Sequence, residues 1–302
     1  MVADTLERPA GWVHHPGQPV QRPLDLAVPL PGADGSTDEL HLVFSDDGLY
    51  IPALVRRPPG PGPFPAVICL HGGSGGLGVP YLRDMLHNQG ALTDRLLAEG
   101  FLVCVTEGRC EQEDAYATDA TPLDHHDVVA VFRYLRALPA VNPARVGLFG
   151  ASHGGELQLK LIAALGAGPA ALVPCEPAVI EFLGLRYQGV RKEANLQFQG
   201  ELDDAQIDLA AAMGRIAPID PGLPILVVGR DGDHLQGLFR KLYELLRRAG
   251  KNAHWQSYDH PEHAYQFGPR RGPAGYAPDP LQAATIERVV AFLKSHVYGG
   301  AA

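Results

Sequence analysis

Short apolar runs alternate with amphipathic helical patterns along most of the chain. Runs at 66–70, 101–105, 145–149, 170–173 and 224–228 have the length and composition of buried strands. Helical periodicity follows or separates these runs at 92–98, 124–138, 238–246 and 281–293. Apolar strands that alternate with helices predict an α/β fold, with a mostly parallel central sheet covered by helices on both faces.

Both ends of this alternation and one connection within it differ from the rest. Residues 1–36 are rich in proline and glycine and are interpreted as an N-terminal arm, so a single α/β domain is expected over 37–302. Strand-like runs at 40–44 and 50–55, joined by a turn containing Asp-Gly, predict an antiparallel hairpin at the edge of the sheet. The segment 176–220 is longer than an ordinary crossover, and we interpret it as a lid over the site or as an elaborated connection.

Charge and composition narrow the classes of function. The net charge is −9 and there is no run rich in Lys or Arg, so neither nucleic acid nor an anionic membrane is expected as a partner. The first residues have no signal-peptide pattern and no apolar run could span a membrane, so a cytoplasmic location is expected.

Cys69 and Cys104 lie in predicted buried strands, which indicates reduced thiols, with a Cys104–Cys110 disulfide as the alternative. No set of residues has convincing metal-ligand spacing, so no metal or other cofactor is expected. The sequence leaves the oligomeric state open.

The strongest chemical signal is the segment Gly-Ala-Ser-His-Gly-Gly at 150–155. It follows the predicted strand 145–149 and precedes a helical run at 156–165. A strand, a tight glycine-flanked turn that carries a serine, and then a helix expose the serine hydroxyl at the carboxyl edge of a sheet. The pattern therefore indicates that Ser152 is a nucleophile.

A serine nucleophile needs a base, and the base needs an orienting acid; both are expected later in the chain, each after a strand. The loop after the strand 224–228 contains Asp231 and Asp233. Its position favours Asp233 as the acid, with Asp231 as the alternative. The loop after the last predicted strand contains His260 and His263. We favour His263 as the base, because His260 precedes a proline and is expected to face solvent or to support the loop.

The negative oxygen that forms when a serine attacks a carbonyl is best stabilised by backbone N–H groups. The segment His-Gly-Gly-Ser-Gly-Gly at 71–76 follows the predicted strand 66–70, and its glycines allow the backbone to approach a substrate. One oxyanion donor is expected to be the N–H of His153, and the other comes from Gly72 or Gly73. A phosphate-binding loop is the weaker interpretation, because no Gly-Lys-Ser/Thr follows.

Residues that contact the substrate are harder to identify from sequence. Glu107 and Arg109 follow the strand 101–105 and are expected to border the pocket, and Glu176 follows another strand end. Such charges either steer a polar part of the substrate or form a salt bridge at the rim. Phe182 is expected to supply an apolar wall of the pocket.

Together these residues resemble the α/β-hydrolase family, specifically its dienelactone-hydrolase and prolyl-oligopeptidase-like branch. The resemblance spans 40–297 and rests on the 71–76 and 150–155 segments, on Asp127 in the preceding helix, on the acid loop and on 258–267. It implies a sheet of about eight strands, a Ser-Asp-His triad and hydrolysis of an ester, thioester or amide without a cofactor. Two features depart from the family: the acid loop lacks the usual single Gly-x-x-Asp, and the chain has no large propeller domain like that of the oligopeptidases, which weakens a peptidase interpretation.

The sequence therefore favours a serine carboxylesterase or lactone hydrolase that acts on a small-molecule ester through an acyl-enzyme. The alternatives are a small-peptide or acyl-amino-acid hydrolase, which would cleave amides, and a ligand-binding protein of the same fold with slow turnover. With His263 as the base, activity is expected to rise with pH around the ordinary histidine pKa of about 6.5.

Overall fold

Nine strands of the described chain form one central sheet. The computed structural model describes residues 26–30, 37–46, 48–73, 78–87, 91–109, 124–185, 198–264, 270–272 and 275–299. In chain order the strands are β1 (Leu26–Leu30), β2 (Thr37–Phe44), β3 (Tyr50–Arg57), β4 (Phe64–Leu70), β5 (Leu102–Thr106), β6 (Val141–Ala151), β7 (Ala171–Cys175), β8 (Ile225–Arg230) and β9 (Ala253–Tyr258). Their order across the sheet is β1-β2-β3-β5-β4-β6-β7-β8-β9.

This sheet is antiparallel at one edge and parallel elsewhere. β1, β2, β3 and β5 pair antiparallel in that order, whereas β5, β4, β6, β7, β8 and β9 pair parallel. The predicted fold class, with its antiparallel N-terminal hairpin, is confirmed, and β1 adds a strand beyond the eight that were expected. A separate short hairpin is formed by β10 (Arg270–Gly272) and β11 (Gly275–Ala277).

Helices cover both faces of the sheet. They are α1 (Gly78–Leu86), α2 (Leu92–Ala98), α3 (His125–Ala137), α4 (His153–Leu165), α5 (Leu209–Ile216), α6 (Gln236–Arg248) and α7 (Pro280–Leu293). Apolar residues of α1, α2 and α7 belong to one buried cluster, and those of α3 to α6 belong to a second. Successive residues of β4 alternate between these clusters: Ile68 and Leu70 join the second, Val67 and Cys69 the first. This is the period-two pattern of a strand buried on both faces.

One segment differs from its sequence interpretation, and a second is described only in part. Residues 26–30, which we assigned to an N-terminal arm, form β1, and the rest of 1–36 lies outside the described residues. Pro29 weakened the strand signal there, but proline is tolerated in an edge strand, which is where β1 lies. The segment 176–220 contains a 3₁₀ turn (Asp204–Gln206) and α5. Residues 186–197 are outside the described chain, so the lid stays a prediction.

Burial of the cysteines agrees with their placement in strands. Cys69, Cys104 and Cys175 are free and buried. Burial raises the pKa of the Cys104 thiol to about 12, and it raises those of Cys69 and Cys175 as well. Cys110 lies outside the described residues, so the disulfide alternative stays open. Among the described helices, none has the length and apolar character needed to cross a membrane.

The turn between β6 and α4 is packed too closely for side chains at its glycines. A Cβ on Gly150 would lie 2.2 Å from the Gly154 carbonyl oxygen, and one on Gly154 would lie 2.4 Å from the Leu70 carbonyl oxygen. A Cβ on Gly155 would lie 2.7 Å from the Cβ of Pro177. Since most of these neighbours are backbone atoms, they cannot rotate away. The glycines thereby allow α4 to begin directly against the carboxyl end of β4.

Replacing Gly154 by alanine should therefore destabilise the fold strongly. We expect Gly154→Ala to lower the free energy of unfolding by about 3 kcal/mol or more, because backbone must move to admit the methyl group. Gly214→Ala, in α5 with no atom within 4 Å of the added Cβ, is the matched control. It should stabilise the protein by about 0.5–1 kcal/mol. Urea unfolding measures both, and similar values for the two variants would contradict this account of the turn.

Candidate active site

Ser152 lies in a strained turn at the carboxyl end of β6. Its φ of 51° and ψ of −119° are in a region that non-glycine residues seldom occupy, at a typical cost of about 1–3 kcal/mol. The surrounding backbone holds the turn: the Ser152 N–H donates to the Cys175 carbonyl (2.9 Å), and the Ser152 carbonyl accepts from Gly155 and Ala178 (both 2.9 Å). This is the strained strand–turn–helix geometry expected from the 150–155 segment.

His263 and Asp233 meet at the same edge of the sheet. Asp233 follows β8 and His263 follows β9, and the His263 Nδ1–H donates to Asp233 Oδ2 at 2.8 Å. The fully buried Asp233 carboxylate also accepts from the Leu235 N–H (2.7 Å) and from Arg230 Nε (2.8 Å). Asp231, the alternative acid, is exposed and lies 3.8 Å from Arg240. Of the two candidate acids, Asp233 is the one in contact with His263.

A second carboxylate, that of Glu176, reaches the same imidazole nitrogen. Glu176 directly follows β7 and is fully buried, and its Oε2 lies 2.9 Å from His263 Nδ1. The same oxygen accepts the Ala264 N–H at 2.6 Å. From the sequence, Glu176 was recognisable only as a charge at a strand end. Its proximity to the site could have been inferred from topology, because the parallel strand beside the Ser152 strand ends immediately before Glu176.

These contacts set the ionisation of the pair. Burial alone would lower the pKa of His263, but its bonds to Asp233 and Glu176 outweigh burial and raise the pKa to about 9. Burial would raise the pKa of Asp233, but the bond to His263 dominates and lowers it to about 2. The expectation of an ordinary histidine pKa of about 6.5 is thus corrected upward, because two carboxylates rather than one stabilise the imidazolium. The Nε2 of His263 is buried and has no hydrogen-bond partner in the described part of the chain.

His234 borders the pair on its other side. Its ring centroid lies 4.8 Å from that of His263, and its Nδ1 is 3.3 Å from Asp233 Oδ1. Burial lowers the pKa of His234, which favours the neutral ring. Ligand atoms of Asp233, His234 and His263 lie within 4.8 Å of one another, so these side chains could hold a metal ion. A metal ion bound there would be coordinated by the His263 imidazole, which Asp233 also contacts. That the protein uses no metal stays a prediction.

His260 supports the loop that carries His263. The His260 ring is buried, with Nε2 2.9 Å from Oδ2 of Asp279, the residue that caps α7. Its carbonyl accepts from Arg230 Nη1 at 2.8 Å. Since Arg230 also binds Asp233, one guanidinium connects the acid to the base loop. His260 was expected either to face solvent or to support the loop, and these contacts match the second role.

The glycine loop after β4 lies beside Ser152. A Cβ on Gly72 would lie 2.9 Å from Ser152 Cβ and 3.5 Å from Ser152 Oγ. The His71 Nδ1–H donates to the Gly72 carbonyl at 2.7 Å, and His71 Nε2 is 3.6 Å from Glu107 Oε2. In a trans peptide the carbonyl and the following N–H point in opposite directions. His71 therefore orients the N–H of Gly73, one of the predicted oxyanion donors, and the Glu107 carboxylate lies beyond hydrogen-bond distance of His71 Nε2.

The other predicted donor, His153, is the first residue of α4. Its N–H belongs to the first turn of α4, where backbone N–H groups do not bond to carbonyls of the same helix. The buried His153 ring is fixed by Asp124, 3.1 Å from Nε2, and Lys160 lies 3.0 Å from the same carboxylate. Although burial opposes ionisation of Asp124, His153 and Lys160 together lower its pKa. Asp124 was not identified from the sequence.

Arg109 and Phe182, two of the three predicted substrate-contacting residues, are engaged in structural contacts. The buried Arg109 guanidinium binds Asp127 in α3, with Nη2 2.5 Å from Oδ1, and the Arg109 N–H donates to the same carboxylate. Phe182 is fully buried in the apolar cluster under α4, and its N–H donates to Glu156. We therefore leave both residues out of the proposed substrate site.

Solved structures of esterases share this architecture. Esterase Est22 aligns with a TM-score of 0.61 at 16% identity, covering 87% of this chain and 81% of that chain. An esterase from Pyrobaculum calidifontis aligns with a TM-score of 0.56 at 18% identity (87% and 85% covered). One from Rhizomucor miehei aligns with a TM-score of 0.59 at 16% identity (87% and 84% covered). No protein-family model matches the chain, and no curated protein matches it in sequence. The chain thus has the α/β-hydrolase fold, and its place in the dienelactone-hydrolase branch stays a prediction.

Contacts between His263 and the two carboxylates make stability depend on pH. Because folding raises the His263 pKa from 6.5 to about 9, the stabilisation is complete below pH 6.5 and disappears as the pH rises through 9. The stability advantage of wild type over His263→Gln should shrink by an amount on the order of 3 kcal/mol between pH 6 and pH 10. Urea unfolding at each pH measures this difference, and an advantage that stays constant would contradict the raised pKa.

Proposed function

We propose that the protein is a serine hydrolase that cleaves carboxylic esters, with Ser152 as nucleophile, His263 as base and Asp233 as acid. The observation that carries the proposal is the His263–Asp233 hydrogen bond at the sheet edge where Ser152 occupies its strained turn. The Ser152 N–H bonds to Cys175, and the next residue, Glu176, contacts His263, so one short connection links nucleophile and base. The esterase activity named for structural neighbours supports the same reaction class.

In the proposed reaction, Ser152 Oγ attacks the acyl carbon and its proton passes to the Nε2 of His263. The N–H groups of His153 and Gly73 then stabilise the negative oxygen of the tetrahedral intermediate. The intermediate collapses, the alcohol leaves with the proton from His263, and an acyl-Ser152 remains. Water, deprotonated by His263, hydrolyses this ester and restores the serine. Throughout both steps Asp233 holds the Nδ1 proton and stabilises the imidazolium.

The narrower proposal is a carboxylesterase or lactone hydrolase for small-molecule esters, similar to the dienelactone-hydrolase branch, that needs no cofactor. The 71–76 and 150–155 segments support it by sequence resemblance. Two other interpretations make different predictions: an acyl-amino-acid hydrolase would prefer amides, and a binding protein would retain its ligand without turnover.

Removing the serine hydroxyl tests the nucleophile. We expect Ser152→Ala to lower hydrolysis of short-chain p-nitrophenyl esters by about 10⁴-fold or more, because a residual rate then depends on the oxyanion donors alone. Labelling by an organophosphonate probe should disappear in the same variant. Ser45→Ala, which removes a buried hydroxyl directly after the end of β2, four strand positions away from β6 in the sheet, is the control and should keep both activities.

Equal hydrolysis by wild type and Ser152→Ala would refute the serine mechanism. Probe labelling that persists in Ser152→Ala would place the nucleophile elsewhere. Absence of hydrolysis in the wild type, together with saturable binding of an ester, would favour the binding protein.

The pH dependence of the proposed reaction follows from the ionisation of His263. Only the neutral imidazole can accept the Ser152 proton, and its pKa is raised to about 9. We expect kcat/KM to rise about tenfold per pH unit from pH 7 toward pH 9 and then to level off. Stopped-flow hydrolysis of an uncharged ester measures the profile. A plateau that is already complete at pH 7 would contradict the raised pKa.

A further inference from the structure

We infer that Glu176 is a second positioning acid, which shares the Nδ1 proton of His263 with Asp233 so that either carboxylate can hold the imidazole. This inference rests on the proposed function, in which His263 is the base. It adds a fourth side chain to the Ser152, His263 and Asp233 set, and it makes Glu176 a determinant of the pH range in which the site works.

The contact itself is as close as that of the assigned acid. Glu176 Oε2 lies 2.9 Å from His263 Nδ1, and Asp233 Oδ2 lies 2.8 Å from the same atom. Nδ1 carries a single hydrogen, which makes a hydrogen bond to Asp233, while Glu176 Oε2 lies at ion-pair distance from the same nitrogen. Both acids are fully buried, and each comes from the carboxyl end of its own parallel strand, β7 or β8. Loss of one carboxylate would leave the other in hydrogen-bonding distance.

A strained backbone conformation places the Glu176 carboxylate beside His263 Nδ1. Within the described chain, non-glycine residues with positive φ are Ser152 (51°), Glu176 (45°) and Ala264 (53°). These are the proposed nucleophile, the second carboxylate and the residue that follows the base. The Ala264 N–H donates to the Glu176 oxygen that faces His263. Two of these strained residues, Glu176 and Ala264, therefore lie at the His263 imidazole, and the third, Ser152, bonds to the residue before Glu176. Clustered backbone strain of this kind is the distribution expected at a functional site.

Charge balance around His263 requires both acids to be counted. Asp233 and Glu176 bring two negative charges, and Arg230 brings one positive charge, 2.7 Å from Asp233 and 3.9 Å from Glu176. Burial lowers the pKa of His234 and so favours its neutral form, and burial keeps the Cys175 thiol, 3.9 Å from Glu176 Oε1, protonated. One negative charge is then left uncompensated until His263 becomes an imidazolium. The site thereby stabilises the charge that His263 acquires during attack by Ser152.

This arrangement has a consequence for regulation of the same site. A second acid strengthens His263 as a base, but it also keeps more molecules protonated and inactive at neutral pH. Glu176 is therefore expected to shift activity toward alkaline pH, while Asp233 and Glu176 each protect the site against loss of the other.

Single and double substitutions of the two acids test the inference. Asp233→Asn and Glu176→Gln should each lower kcat by less than about 100-fold, because one carboxylate remains on Nδ1. The double variant should lose about 10⁴-fold, the loss typical when the lone acid of a triad is neutralised. Asp231→Asn, which removes an exposed carboxylate on the same loop as Asp233, should match wild type. A loss of about 10⁴-fold in Asp233→Asn alone would overturn the inference.

The titration of His263 supplies a readout that a merely structural role of Glu176 would not move. In a Ser152→Ala background, NMR of the His263 ring should give a midpoint at least one pH unit lower when Glu176→Gln is added, and no change when Asp231→Asn is added. An unchanged midpoint in the folded Glu176→Gln variant would overturn the inference. If Glu176→Gln does not fold, as judged by circular dichroism, the activity of Asp233→Asn decides the question.

These measurements separate the inference from the proposed function. The ring titration requires no ester hydrolysis, so it tests the shared proton even if Ser152→Ala proves fully active and the serine mechanism fails. Conversely, loss of activity in Ser152→Ala with an unchanged titration in Glu176→Gln would retain the serine mechanism and remove Glu176 from it.

Discussion

Close packing of α4 against the carboxyl ends of β4 and β6 is the constraint on which the site depends. Gly150 and Gly154 have no room for a Cβ, so the chain must reverse within a single residue between strand and helix. That residue is Ser152, and the reversal requires its positive φ of 51°. The same contact brings the loop after β4 beside Ser152, where Gly72 faces its side chain. Ser152 and the glycine loop after β4 are thus positioned by one backbone contact.

The second organising feature is electrostatic. Parallel strands end at a common edge, so positions within the first few residues after β7, β8 and β9 converge there. These positions are occupied by Glu176, Asp233 and His263. Arg230, at the end of β8, lies beside this cluster. Both carboxylates are fully buried and His263 and Arg230 are partly buried, which strengthens the electrostatic contacts among them. The two carboxylates outweigh the effect of burial and raise the pKa of the His263 imidazole.

Support for the reacting groups comes from buried polar contacts behind them. Asp124 fixes the ring of His153, and His71 fixes the peptide that carries the Gly73 N–H. These partners are side chains that the proposed reaction never touches. Rigid donors need no reorganisation when charge develops, and this is where backbone oxyanion groups gain their effect. Arg109 and Asp127 form another buried polar contact, between the loop after β5 and α3.

Much of the fold was predictable because it depends on local patterns of apolar and polar residues in the sequence. The apolar runs of β4 to β8 have the period and length of strands buried on both faces, and α3 carries the stripe of a one-sided helix. The proline in β1 obscured the ninth strand, since a propensity signal cannot tell an edge strand from a loop. Ser152 and His263 were identified because the motif and the chain order of a triad are themselves sequence features.

The sequence by itself thus determined the strands, the turn that carries Ser152 and the loops that supply an acid and a base, since each depends on residues near one another in the chain. Tertiary structure alone decided that Asp233 rather than Asp231 faces His263, that Glu176 joins it, and that Arg109 binds Asp127. It also decided the ionisation of His263. Hydrogen bonds and desolvation act across space between strands far apart in sequence, and no local pattern encodes which buried charges will share one proton.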